Sequence, residues 1–439
     1  MPKFRWIIRP VPEYHCVLRY PIFLVPAFLL SLFAGAVSAG PVEDLKPGEW
    51  YEVPDSRLDA VKPSPLPYGY SGIASVMNAW SGGAYDSKRD RLIVWGGGHM
   101  DYSGNEVYAF DITTLKWSRV TEPSADVGGV ETSGVYPDGH PRARHTYNSI
   151  QYLPAIDRFC VFGAGALYPS GQTGSARTDC LDFATGLWER KADAKTYGIA
   201  NFSAVDPVTG MVWAGKGTLT RFDPVADTWT KQTEYENDIE WTNYLTLEVD
   251  PKRRMLVGVG AGKVYQWDIS DPAAVIPAQA LTTTGGEDAI TVGAPGLAYD
   301  PVGEQMVAWG GGPDVFTLDS RTKVWTRHAR TGGAMPTAPA VYGTYGRFRY
   351  AASKNVFVVV NKTDENVFFF KLTAGPGLPM GTKAPAKRPV SSRTVFLRGA
   401  QVRFQRADQR GGDWDSDGRA AASIRALQAS KAGVRIPLR

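Results

Sequence analysis

Side chains able to hydrogen-bond or exchange a proton crowd into one stretch of this chain. Gly98-His99-Met100-Asp101-Tyr102-Ser103-Gly104-Asn105-Glu106 is followed by a long run from Thr121 to His145, ending in His140-Pro141-Arg142-Ala143-Arg144-His145, and then by Ala164–Thr178 with Tyr168 and Arg177. Three of the four histidines beyond residue 39 lie here. Asp101, Asn105, Arg144 and the histidines offer paired donors and acceptors suited to sugar hydroxyls, and Tyr102, Tyr168 or Trp241 offers a flat face for a ring. Glu240, Trp241 and Asn243 make a second polar group later in the chain. His99, Arg144, His145 and Glu240 also qualify as an acid/base set, although no motif orders them into a mechanism. A plainer use is equally open: His99 and Asp101 can fix their own loop, and Arg144-His145 can open a strand.

The elements that must position these residues come from a repeat. Between Ala74 and Leu372 a phrase of forty to fifty residues is written six times, clearest as AYDSKRDRLIVWGGG, NEVYAFD and TLKWSRV, and again as AYDPVGEQMVAWGGG, DVFTLDS and KVWTRH. A period of that length signals stacked or ring-arranged units that cannot bury their apolar faces alone. Each unit parses into four short strands. The first ends near Asp86, Asp206, Asp250 or Asp300, with proline next in the last three, which favours a type I turn. The second is the most apolar, as at Leu92–Trp95. The third carries aromatics and the fourth a tryptophan (Trp117, Trp188, Trp229, Trp325).

The glycine pairs, spaced aromatics and late tryptophan resemble the Kelch repeat, most closely the propeller of the galactose oxidase-like superfamily, over about two-thirds of the chain. The resemblance implies an all-β, six-bladed Kelch-type β-propeller. The sixth copy stops after NVFFFKL without a tryptophan strand, whereas GEWYEVPDS around Trp50 reads like KWSRVTEPS around Trp117. The last blade is therefore expected to close with an N-terminal strand at Trp50–Val53. The superfamily includes a copper-radical oxidase whose centre needs a Tyr-His pair. The only such pair here is Tyr14-His15, ahead of the repeats, so no copper, other metal or cofactor is expected.

Four segments follow. Residues 1–39 read as a signal peptide, with scattered basic residues, an apolar stretch from Tyr20 to Val37, and Val37-Ser38-Ala39 as the small-residue cleavage site. Residues 40–375 form the propeller, 376–392 a linker, and 393–439 a basic, disordered tail. The leader implies a secreted or periplasmic protein with no membrane association after cleavage. The total charge is +4, of which the leader carries +3 and the residues after Met380 +9, leaving −8 for the remainder. An acidic body gives no footprint for nucleic acid. Cys160 and Cys180 fall on adjacent strands of the second unit, within bridging reach if the register matches, and an oxidising compartment favours their disulfide.

In the third, fourth and fifth units the second and third strands are joined by little more than GKGT, GAGK and GGPD, so the long loops of the first two units mark the expected site. The expected function is a binding module for a carbohydrate or protein partner over blades one and two. The alternative is a glycan- or sugar-modifying enzyme, such as an epimerase-type Kelch propeller. Binding is favoured because no recognisable catalytic set is present.

Overall fold

A computed structural model describes residues 40–169, 174–195, 198–216, 218–231, 244–274, 276–378, 393–397 and 400–404. The proposed signal peptide and most of the linker and tail lie outside them. Within the 393–439 segment, expected to be disordered, Arg393–Leu397 and Ala400–Phe404 pair as an antiparallel ladder.

Each repeat folds into a small antiparallel sheet, and six sheets form a six-bladed propeller. Blade one consists of Gly83–Asp86, Arg91–Val94, Tyr108–Asp111 and Lys116–Arg119. The first strands of the others are Ile150–Leu153, Phe202–Val205, Thr246–Asp250, Gly296–Asp300 and Phe348–Ala351. These innermost strands touch from blade to blade, and the first meets the sixth. Turns after them follow the expected chemistry: the buried carboxylate of Asp250 accepts from the amides of Lys252 and Arg253 at 3.0 Å. Asp206 is held across the blade boundary by both terminal nitrogens of Arg254, at 2.7 and 2.6 Å.

The core lies between blades rather than at one centre. Separate apolar clusters fill all six boundaries, for example Leu92, Val94 and Phe110 of blade one against Val356, Val358 and Phe369 of blade six. Blade four departs from the pattern, because its outer strand is the two-residue Gln279–Ala280 and carries no tryptophan.

Closure is made by the N-terminal segment. Glu49–Glu52 pairs antiparallel with Phe368–Phe370, bringing Trp50 opposite Phe370. The strand begins and ends one residue earlier than expected. Trp50 is 1% exposed, its ring lies 4.8 Å from Phe370 and 6.0 Å from Trp309, and its indole N–H donates to the Pro313 carbonyl at 2.8 Å. A fifth strand not foreseen in the sequence, Gly332–Gly333, adds parallel to Glu49 and Trp50. In blade two, Cys160 and Cys180 stand directly opposite each other and are joined by a disulfide.

Trp50→Ala leaves both a cavity and an unpaired carbonyl, so it should cost about 3–5 kcal/mol in denaturant unfolding. Deleting 48–56 should lower the thermal transition further, and an unchanged transition would mean that another segment closes the ring. Reducing the disulfide, which closes a 20-residue span, should cost about 3 kcal/mol.

Candidate functional site

The loop between the second and third strands of blade one is built around close backbone approaches. Gly98 has φ +86°, and a Cβ there would meet the Arg144 Cα at 2.3 Å. Its amide donates to the Tyr102 carbonyl at 2.8 Å, and the next amide, of His99, reaches the Ala166 carbonyl of blade two at 2.8 Å. Much of the polar set sits underneath this loop. Tyr102 is fully buried, and its hydroxyl donates to Glu106 at 2.6 Å beside that of Tyr108 at 2.7 Å. Burial raises the Glu106 carboxyl above its ordinary pKa. Asn105 is 1% exposed; it donates to Ser124 and the Pro141 carbonyl and accepts from the Ser124 amide at 2.8 Å.

Arg144 is fully buried as well. Its guanidinium donates to the carbonyls of Arg142 at 3.0 Å and Gly134 at 2.8 Å, and burial lowers its pKa to about 10. Arg177 is paired with Asp179. Four of the expected ligand residues, Tyr102, Asn105, Arg144 and Arg177, therefore have partners inside the protein and hold loops in place. Glu240, Trp241 and Asn243 lie outside the described residues.

His99, Asp101 and Tyr168 remain at the surface of blades one and two, with His145 buried directly behind Asp101. The Asp101 carboxylate is 3.3 Å from His145 Nε2 and 3.9 Å from His99 Nδ1. The hydrogen bond from His145 holds Asp101 below the usual carboxylate value. Burial lowers the His145 pKa, with Asp101 opposing it. At neutral pH this is a neutral imidazole against a carboxylate, an arrangement that can orient a hydroxyl or accept its proton.

A strap ahead of blade one, missed in the sequence because it lies outside the repeat, completes this surface. The Ser103 amide donates to the Tyr68 carbonyl at 2.7 Å, and the Tyr70 amide to the Met100 carbonyl at 3.0 Å. Tyr68 and Tyr70 are 71% and 84% exposed. Burial, with the phenols of Tyr68 and Tyr70 nearby, raises the Tyr168 hydroxyl.

The surface borders the propeller axis. Just before the inner strands, Trp80, Tyr147, Ala200, Tyr244, Ala294 and Tyr345 all adopt left-handed backbone, with φ between 48° and 60°. Four positions further on stand Ala84, Gln151, Ala204, Glu248, Ala298 and Arg349. Blades two, four and six thus supply a tyrosine and then a long polar side chain, whereas blades one, three and five supply alanine at the second position. Arg349 bridges the axis, donating to Glu248 at 2.9 Å and to Gln151 at 3.2 Å. Above this layer Tyr147 lies 6.2 Å from Tyr244 and 6.1 Å from Tyr345. Trp80 stacks on His145 at 4.9 Å and on Tyr342 at 3.7 Å. The alternation is readable once the six copies are aligned, but two letters per copy carry no meaning until the ring brings them together.

Among the described residues no group of three or more His, Cys, Asp or Glu side chains is placed to hold a metal ion. No family model and no curated protein matches the sequence. Among solved structures, the chain is similar to a structural genomics protein of unknown function from Bacteroides thetaiotaomicron, with 11% identity, 73% of this chain and 74% of that chain covered, and a TM-score of 0.45. It is also similar to an auxiliary nutrient binding protein from the same organism, with 9% identity, 69% and 71% coverage, and a TM-score of 0.44. Neither likeness bears on function at these values; the fold stands on the strand registers.

His145 has its pKa lowered on folding, so the unfolded chain binds its proton more readily. Stability from this group is complete above the unfolded value of about 6.5 and is lost as pH falls through the folded value. NMR titration should place His145 below ordinary histidine, and His145→Gln should flatten that part of the stability profile. Across the axis, Arg349→Met should destabilise by about 3–5 kcal/mol, because it strands Glu248, and the Arg349→Met/Glu248→Leu pair by less.

Proposed function

We propose that this chain is an exported Kelch-type propeller that binds carbohydrate through the loop face over blades one and two. The observation that carries the reading is the surface where exposed Tyr68 and Tyr70 and half-buried Tyr168 border the His99–Asp101–His145 cluster. Aromatic faces take the C–H faces of sugar rings, and the carboxylate and imidazoles take hydroxyls. Export rests on the leader, which fits a secreted or periplasmic protein with a glycan ligand. A protein partner is the competing occupant of this face.

A second reading, a glycan- or sugar-modifying enzyme, draws support from the Asp101–His145 pair, since a neutral buried imidazole beside a carboxylate is suited to proton transfer. The reading needs no cofactor.

A glycan array probed with the mature chain should give carbohydrate hits that weaken by about tenfold or more in Tyr68→Ala/Tyr70→Ala. His99→Ala should weaken them further without changing the melting temperature. Hits that survive both changes would move the site elsewhere, and an empty array would favour a protein partner. NMR of the bound sugar decides between the readings: turnover that stops in His145→Gln makes the protein an enzyme.

A further inference from the structure

Trp80 is an unusual platform. A bulky residue with φ 48° is strained, and it persists only where its surroundings hold it. Here the Trp80 amide donates to the Asn78 carbonyl at 3.0 Å, and its carbonyl accepts from Tyr147 at 2.6 Å. The indole is thereby held at the mouth of the axis, beside His145 and its partner Asp101. Tyr342 lies against it almost face to face, at an interplanar angle of 15°.

Tyr342 makes fewer contacts of its own than the surface it covers. It is 46% exposed and follows Val341, which is 85% exposed. Neither side chain makes a hydrogen bond among the described residues. The tip is a tight turn, with the Gly343 amide donating to the Ala340 carbonyl, and Gly343 has φ +109°. The loop is anchored on either side of the ring, by Asn361 to Thr337, by the buried Arg347 guanidinium to the Gly343 carbonyl and by the Thr344 amide to the Ala294 carbonyl. An indole with a polar edge is thus covered by a half-exposed ring held by stacking, which presents a flat face.

We propose that this stack marks a second ring-binding site, on the propeller axis, which the protein's own Tyr342 fills until a pyranose ring replaces it. The site is separate from the exposed tyrosines of the strap and rests on the carbohydrate reading only for its ligand class. A pyranose matches Tyr342 in having a flat face for the indole. Because the protein must expel its own side chain, affinity in the native chain is reduced by the fraction of time the site is filled.

Calorimetric and tryptophan-fluorescence titrations of the full chain test this with two probes, p-cresol as the side-chain analogue of tyrosine and a panel of methyl pyranosides. Tyr342→Ala should bind p-cresol, and the pyranoside that the native chain prefers, about fivefold or more tighter. Adding Trp80→Ala should abolish the gain. Equal p-cresol affinity in the native chain and Tyr342→Ala overturns the proposal, as does a gain that survives Trp80→Ala. A p-cresol gain with no pyranoside bound by any variant overturns the assignment to sugars. Pyranoside binding that is lost in Tyr68→Ala/Tyr70→Ala but unmoved by Tyr342→Ala overturns this inference and leaves the loop-face reading standing.

Discussion

A ring of blades is stable only when it has no end, and here the antiparallel pairing of Glu49–Glu52 with Phe368–Phe370 removes it. Each blade buries its two faces against its two neighbours, so an open ring would expose the faces of blades one and six together. The apolar cluster joining Leu92 and Phe110 to Val358 and Phe369 exists only in the closed form. Trp50 carries much of this closure, because one side chain both packs on Phe370 and Trp309 and satisfies the Pro313 carbonyl. Contacts this distant in sequence are costly in chain entropy, and they bring benefit only once all six blades are present.

Closure in turn sets the problem of the axis. Six inner strands converge on a line where large side chains from every blade would collide. Alternation solves it: tyrosine with a long polar residue from blades two, four and six, and alanine between them at the second level. The Arg349–Glu248–Gln151 bridge fills the lower layer with its charges paired, and the aromatic layer lies above it. A rigid floor of this kind lets Trp80 and its neighbours keep left-handed backbone beside the loop face, and strained, fixed residues are what a preorganised site needs.

The loops show why residue type is a poor guide to role. A long connection without regular strands must satisfy its own buried polar groups, and Asn105, Arg144 and Glu106 are consumed in doing so. What they support is a small surface of His99 and Asp101 backed by buried His145, joined by tyrosines from a strap with no place in the repeat. Polar residues in one segment thus divided into those holding the surface and those forming it.

By itself the sequence determined the blades, their number, and the need for an N-terminal strand, because strand alternation, turn residues and the missing last tryptophan are local signals repeated in register. It also located the swollen loops over blades one and two, since loop length is visible in a repeat. Only the tertiary structure decided which side chains of those loops are buried and which face outward, because burial depends on what the neighbouring blade supplies. The same holds for the axis: Trp80, Tyr147, Tyr244 and Tyr345 are far apart in the chain and meet only when the ring has closed. Tyr342 on Trp80 is a contact across 262 residues, and no local pattern encodes it.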